Sequence, residues 1–277
     1  MRMKNNYHTH LKYCHHATGD TFDYVAEAIR LGFEEIGITD HGPILESFMS
    51  EEDYLKNYCN ENMKYDFIDT YLNEIEAARE RFKGKIKIYT GFETEFLYDQ
   101  VDFYKDLRSK VDYLNLGVHF FKDKKGNIID CYHEVNYKNL DEYVDTCING
   151  MKTGLFNTLV HPDVFFCDYK DINGLNNFDD NCRLAAKRII EAAIKYNVYL
   201  EINCNAIKKE EQALKPNTWK YPRYEFWEIA KEYKDLKIIV GADAHAPERL
   251  SGFHVDAIYK MIDELKINVL DKMEINH

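Results

Sequence analysis

Seven apolar runs in this chain read as strands, and they stop at "HTH" (8–10), "TDH" (39–41), "GFE" (91–93), "GVH" (117–119), "VHP" (160–162), "EIN" (201–203) and "GADAH" (241–245). All but one of these endings carries a group suited to a metal ion. Helical segments lie between the runs. "FDYVAEAIRLG" follows a cap at Asp20 or Thr21 and closes on Gly32, and "YDFIDTYLNEIEAARERFKG", "DQVDFYKDLRSK", "LDEYVDTCINGMKTG", "DDNCRLAAKRIIEAAIKYN" and "RYEFWEIAKEYKD" each precede a further strand. Strands that alternate with helices pair in parallel through right-handed crossovers. The even spacing favours a sheet closed into a barrel over an open one. In such a barrel the C-terminal strand ends share one mouth, so residues distant in sequence converge there.

The 277 residues suit one barrel, and no Pro-rich or Gly/Ser-rich linker divides them, so residues 1–277 are expected to form a single domain. A 45% apolar and 14% aromatic composition is that of a globular protein. The net charge of −12 opposes a phosphate backbone and argues against nucleic acid as a partner. No run of eighteen apolar residues and no basic-then-apolar leader is present, from which a cytoplasmic protein with no membrane contact is expected. The seven cysteines form an odd set without a C-x-x-C pair. They are expected to be reduced thiols, mostly buried, rather than a disulfide framework or a thiolate zinc site.

The strand-end candidates, together with His16 of the loop after strand one, are His8, His10, His16, Asp40, His41, Glu93, His119, His161, Asp243 and His245. His8 and His10 stand two apart, which on a strand puts them on one face. A single strand-end histidine is ordinarily a cap or a core hydrogen-bonding residue. The case for metal rests on the set, because imidazole with carboxylate suits zinc, iron or manganese and exceeds the needs of one ion.

In their order and content, "HTH", "TDHG", "GFE", "GVH", "VHP" and "GADAH" resemble the motifs of the PHP (polymerase and histidinol phosphatase) family of metal-dependent phosphoesterases. The resemblance extends from residue 8 to residue 245. "HTHLKYCHHATGD", "EINCNAIKK" followed by "YPRYEF", and "GADAHAPERLSG" are most similar to its histidinol-phosphatase branch. The resemblance implies a distorted (β/α)7 barrel with three divalent ions at the C-terminal ends of the strands. His8, His10, Glu93 and Asp243 would hold one ion, Glu93, His119 and His161 a second, and His16, His41 and His245 a third. His16 is taken over His15 by the family's spacing, and Glu93 over Glu95 because it directly follows the Gly-apolar pair. Asp40 would orient a histidine ligand or position substrate, joining Asp243, His245 and Glu93 in the catalytic set. His16, Lys208 and Arg249 are the candidates for the phosphate, Lys208 standing where histidinol phosphatases usually carry arginine.

The implied activity is hydrolysis of L-histidinol phosphate to L-histidinol and inorganic phosphate in histidine biosynthesis, by attack of a metal-bridging hydroxide. The partner is then a small phosphate ester. The alternatives are another ester, such as a nucleotide phosphate or phosphotyrosine, an amidohydrolase-like barrel, and a barrel whose metals are not catalytic. The segment "GPILESFMSEEDYLKNYCNENMKYDF" after strand two is acidic and aromatic, suited to a pocket wall or to a solvated lid.

Overall fold

The computed structural model describes residues 2–97 and 100–275. In chain order its elements are β1 (Asn5–Asn6), α1 (Thr21–Leu31), β2 (Glu35–Ile38), α2 (Glu51–Asn57), α3 (Ile68–Arg81), β3 (Lys87–Thr94), α4 (Val101–Lys110), β4 (Tyr113–Leu116), β5 (Phe120–Lys122) and β6 (Ile128–Asp130). Then come α5 (Leu140–Lys152), β7 (Thr158–Leu159), α6 (Asp180–Tyr196), β8 (Tyr199–Asn203), α7 (Glu210–Ala213), α8 (Tyr224–Ala230), β9 (Ile238–Gly241) and α9 (Phe253–Leu265).

The expected helix signals operate. Asp20 caps α1 by accepting from the Asp23 N–H while Asp23 returns a bond to the Asp20 N–H, and Gly32 ends the helix at φ 77°. Asp179 caps α6, and Asn197 closes it in the left-handed conformation. The strands lie in the order β1-β2-β3-β4-β7-β8-β9, and every neighbouring pair is parallel. The sheet nearly closes at its mouth: Thr9 and Ala244 form a parallel bridge just beyond β1 and β9, with the His10 N–H donating to the Ala244 carbonyl at 2.9 Å.

Alternation decides what faces the barrel axis. Along β3, Phe92 stacks on Tyr71 of α3 and Thr90 meets Arg79, so Tyr89, Glu93 and Glu95 take the inner face. On β8 the inner set is Tyr199, Glu201 and Asn203. The bottom of the barrel is filled by Tyr7, Tyr89, Tyr113, Tyr199, Ile239 and Met273. The larger apolar cluster fills the layer between strands and helices, with Trp227, Tyr24 and Phe92 fully buried.

Two departures from the sequence reading bear on the site. The expected strand through "VDYLNLGVHF" ends at Leu116, and Phe120 opens an antiparallel hairpin of β5 and β6 outside the barrel. At the break Glu95 accepts from the backbone N–H groups of both His119 and Phe120, at 3.0 and 3.2 Å. The segment after β2 forms α2 and the turns around it. All seven cysteines are unpaired, five of them buried. Among the described residues no helix is long and apolar enough to cross a membrane.

Candidate metal centre

Glu93 sits at the middle of the mouth, 1% exposed, and its two carboxylate oxygens look in different directions. Oε2 lies 3.2 Å from His8 Nε2, 3.3 Å from His10 Nε2 and 3.2 Å from His41 Nδ1. Oε1 lies 2.8 Å from His161 Nε2 and 3.4 Å from His119 Nε2. Asp243 Oδ1 is 3.0 Å from His10 Nε2. His16 and His245 face one another nearer the opening, Nε2 to Nε2 at 3.1 Å. The structure therefore brings His8, His10, His16, His41, Glu93, His119, His161, Asp243 and His245 into one cluster.

The protons on these rings test whether a cation suits it. His16 Nδ1 donates to the Cys14 carbonyl at 2.9 Å and His245 Nδ1 to the Asp243 carbonyl at 3.1 Å. Each neutral ring then carries a bare lone pair on Nε2, and the two lone pairs point at each other. His119 Nδ1 donates to Glu95 at 2.6 Å, which turns Nε2 inward, 3.1 Å from His161 Nε2; burial opposes charge on this ring, but Glu93 and Glu95 overcome it and raise it to about 9. Acceptors converging on acceptors fit a bound cation, and three nitrogen-and-oxygen groups compact enough to hold one are His8, His10 and Asp243; His41, Glu93 and His119; and His10, His41 and His245. Burial and the positive neighbour His10 push His245 down to about 3, so its ring stays neutral. Burial opposes charge on His8 as well, but Glu201, Asp243 and Glu93 overcome it and raise that ring to about 10.

The backbone accepts strain to aim two of these groups. His161 and Asp243 hold φ of 33° and 48°, the left-handed region that side chains with a Cβ avoid at a cost of roughly 1–2 kcal/mol. Two glycines clear the space around buried carboxylates. A Cβ at Gly117 would collide with the Glu93 carboxylate, and one at Gly241 with that of Glu201.

Other candidates take different places. Asp40, fully buried, accepts from the His41 and Tyr13 backbone N–H groups at 2.9 and 3.2 Å and lies 3.7 Å from His10 Nδ1. It stands behind His10, a position that suits the first of the two roles expected of it, orienting a histidine ligand. Glu95 stands behind His119 as the hydrogen-bond partner of Nδ1. His15 and His16 are both exposed at this turn, and it is the His16 ring that faces His245 and His41. Lys208 donates to Asn205 Oδ1, and Arg249 spends its guanidinium on the Ile207 and Asn205 carbonyls at 3.2 and 3.5 Å, so both cations stand around Asn205.

A cavity of about 340 Å³ opens onto the cluster. His16, His41, Glu93, Asp243 and His245 line it together with Lys56, Asn57, Glu61 and Asn62 of the segment after β2, and with Phe120, Asp130 and Tyr132 of the hairpin region. That segment is a wall. The sequence reading missed Lys56, Asp130 and Tyr132, which no periodicity marks. It also passed over Glu201, although Glu201 stands two residues before Asn203 on the inner face of β8.

Comparison with known proteins gives a consistent result. The PHP domain family model matches residues 6–205. A histidinol-phosphatase of Bacillus subtilis is 29% identical over 142 residues, covering 50% of this chain and 52% of its own length. A Schizosaccharomyces pombe protein named "Probable histidinol-phosphatase" is 25% identical over 303 residues, covering 96% of this chain and 88% of that one. The crystal structure of histidinol phosphate phosphatase from Lactococcus lactis, complexed with zinc, L-histidinol and phosphate, superposes with a TM-score of 0.67 at 19% identity, covering 98% of each chain, which establishes a shared fold.

Proposed function

The chain belongs to the PHP domain family, and from that premise we propose that it is a metal-dependent phosphatase that hydrolyses L-histidinol phosphate to L-histidinol and inorganic phosphate, the step that histidine biosynthesis requires. Residues 1–277 act as one domain of that family in this reading. The observation that carries it is the convergence of imidazole nitrogens around the two-faced Glu93 carboxylate at the floor of an open cavity. The names of the Bacillus and yeast relatives, and the zinc, histidinol and phosphate held by the Lactococcus protein, support the choice of ester.

His8, His10, Glu93 and Asp243 would hold one ion, Glu93, His119 and His161 a second, and His16, His41 and His245 a third. Zinc, iron or manganese bound there supplies Lewis acidity, neutralises phosphoryl charge and lowers the pKa of a bound water. The chain's part is preorganisation. The Cys14 and Asp243 carbonyls fix the Nδ1 protons of His16 and His245, so that both Nε2 atoms stay available as acceptors. Lys56 brings an ammonium to the cavity wall, where it attracts a phosphate dianion as a point charge. Glu61 and Asp130 offer carboxylates to the substrate's amine, and the Phe120 and Tyr132 rings flank the space for its imidazole.

The test is kcat/KM for phosphate release from L-histidinol phosphate by zinc-loaded protein, beside nucleotide and aryl phosphates and a chelated control. The reading expects histidinol phosphate to lead by orders of magnitude and chelation to abolish turnover. A different ester leading would keep the chemistry and remove the substrate, and turnover surviving chelation would remove the metal.

A further inference from the structure

Glu201 is fully buried beneath the candidate centre, on the inner face of β8. One oxygen accepts from His8 Nδ1 at 2.7 Å. The other accepts from Asn203 Nδ2 at 2.8 Å and from the His161 backbone N–H at 3.2 Å. Each of these groups is a donor on the side facing the carboxylate, so both ends of the side chain must accept. A glutamine there would turn its NH2 either onto His8 Nδ1–H or onto the Asn203 and His161 N–H groups, leaving two donors opposed in a dry site. A neutral isostere therefore cannot replace the carboxylate without breaking one end or moving the His8 proton from Nδ1 to Nε2, the nitrogen that faces the ion site.

From this geometry we infer that Glu201 is the positioning residue for the first ion site: it holds the proton of His8 on Nδ1, turns Nε2 toward Glu93 and Asp243, and ties the backbone of His161 to the same anchor. Gly241 belongs to the device, because any side chain at that position on the neighbouring strand would fill the space the Glu201 carboxylate occupies. The same chemistry appears a few strands away, where both oxygens of Glu95 accept only from N–H donors, those of His119 and Phe120. Histidine ligands whose remote nitrogen is bonded to a carboxylate bind metal more tightly, and loss of such a partner typically costs 10–100-fold in affinity.

The inference rests on the metal reading proposed above, and zinc affinity of the chelator-stripped protein, measured by competition with a chromophoric chelator, tests the two separately. Glu201→Gln should bind zinc about 10–100-fold more weakly while its circular dichroism before zinc addition stays that of the unsubstituted protein and its melting temperature falls only by what the one broken buried hydrogen bond accounts for. A cycle with His8→Ala should be non-additive, because a residue that acts through His8 has nothing further to lose once the ring is gone. Gly241→Ala, which keeps the carboxylate but displaces it, should weaken zinc in the same direction. Native-like zinc affinity in Glu201→Gln, or losses that add across the cycle, would overturn the role of Glu201 alone. Unfolding of both Glu201→Gln and Gly241→Ala before zinc addition would make Glu201 a structural residue and overturn it too. If the unsubstituted protein takes up no zinc, the metal reading falls and this inference with it.

Discussion

His254 shows how one buried ring outside the metal cluster adds to the acid sensitivity of the fold. It is 2% exposed at the start of α9, and its Nε2–H donates to the Arg249 carbonyl at 2.9 Å. Burial, with help from the charges of Arg249 and Lys208 and against that of Asp256, pushes it down to about 4. The unfolded chain takes up a proton at this ring below about 6.5, while the folded protein does so only near 4. Its contribution is therefore complete above pH 6.5 and is lost as the pH falls toward 4, by at most about 3 kcal/mol. Urea melts of His254→Gln from pH 7 to 4.5 should show a shallower loss of stability with acid than the native chain. At Gly117 the constraint is space: Gly117→Ala drives a methyl into the Glu93 carboxylate, and bound zinc measured by elemental analysis should fall more than the melting temperature of the chelated protein does. Legibility at this scale followed side-chain type. Histidines at strand ends announce themselves, whereas Glu201 and Glu95 look in sequence like ordinary strand glutamates, and only the donors around them reveal what they do.

The elements that build the barrel were plain in the sequence because period-2 and period-3.6 patterns alternate cleanly there, as in β3 and the helix α3 before it, or in α6 with its caps at Asp179 and Asn197. What surrounds the cavity was not. The hairpin of β5 and β6 has only three residues in each strand, too few for a period to declare itself in the sequence, and Glu95 holds two backbone N–H groups where it begins. The wall after β2 is built from short pieces whose pocket-facing residues, Lys56, Asn57, Glu61 and Asn62, share no period. On the proposed reading Lys56, a wall residue outside the candidate ligand set, bears on binding and not on metal loading. Lys56→Ala should raise KM for the phosphate ester about tenfold, equivalent to about 1.4 kcal/mol, with zinc content and kcat little changed. Steady-state kinetics beside metal analysis on the same sample checks both halves.

Across the whole molecule, the candidate ligands come from both ends of the chain and meet where the sheet closes, His8 and His10 beside Asp243 and His245 at the bridge between Thr9 and Ala244. The family match stops at residue 205, yet the sheet is completed by β9 beyond it, on strand pairing from Leu200 to Asn203. An ion held by both ends resists the opening of that seam. Free zinc at a hundredfold above its dissociation constant should add about 3 kcal/mol to stability, and calorimetry should show a melting temperature roughly 5–10 °C above that of the chelated protein. The seam also bears on how the protein is made. His16 and His245 lie 229 residues apart, a stretch that a ribosome takes roughly ten to fifty seconds to translate. For much of that interval the early histidines lack the partners that Asp243 and His245 supply, so the complete centre forms only after β9 has been made.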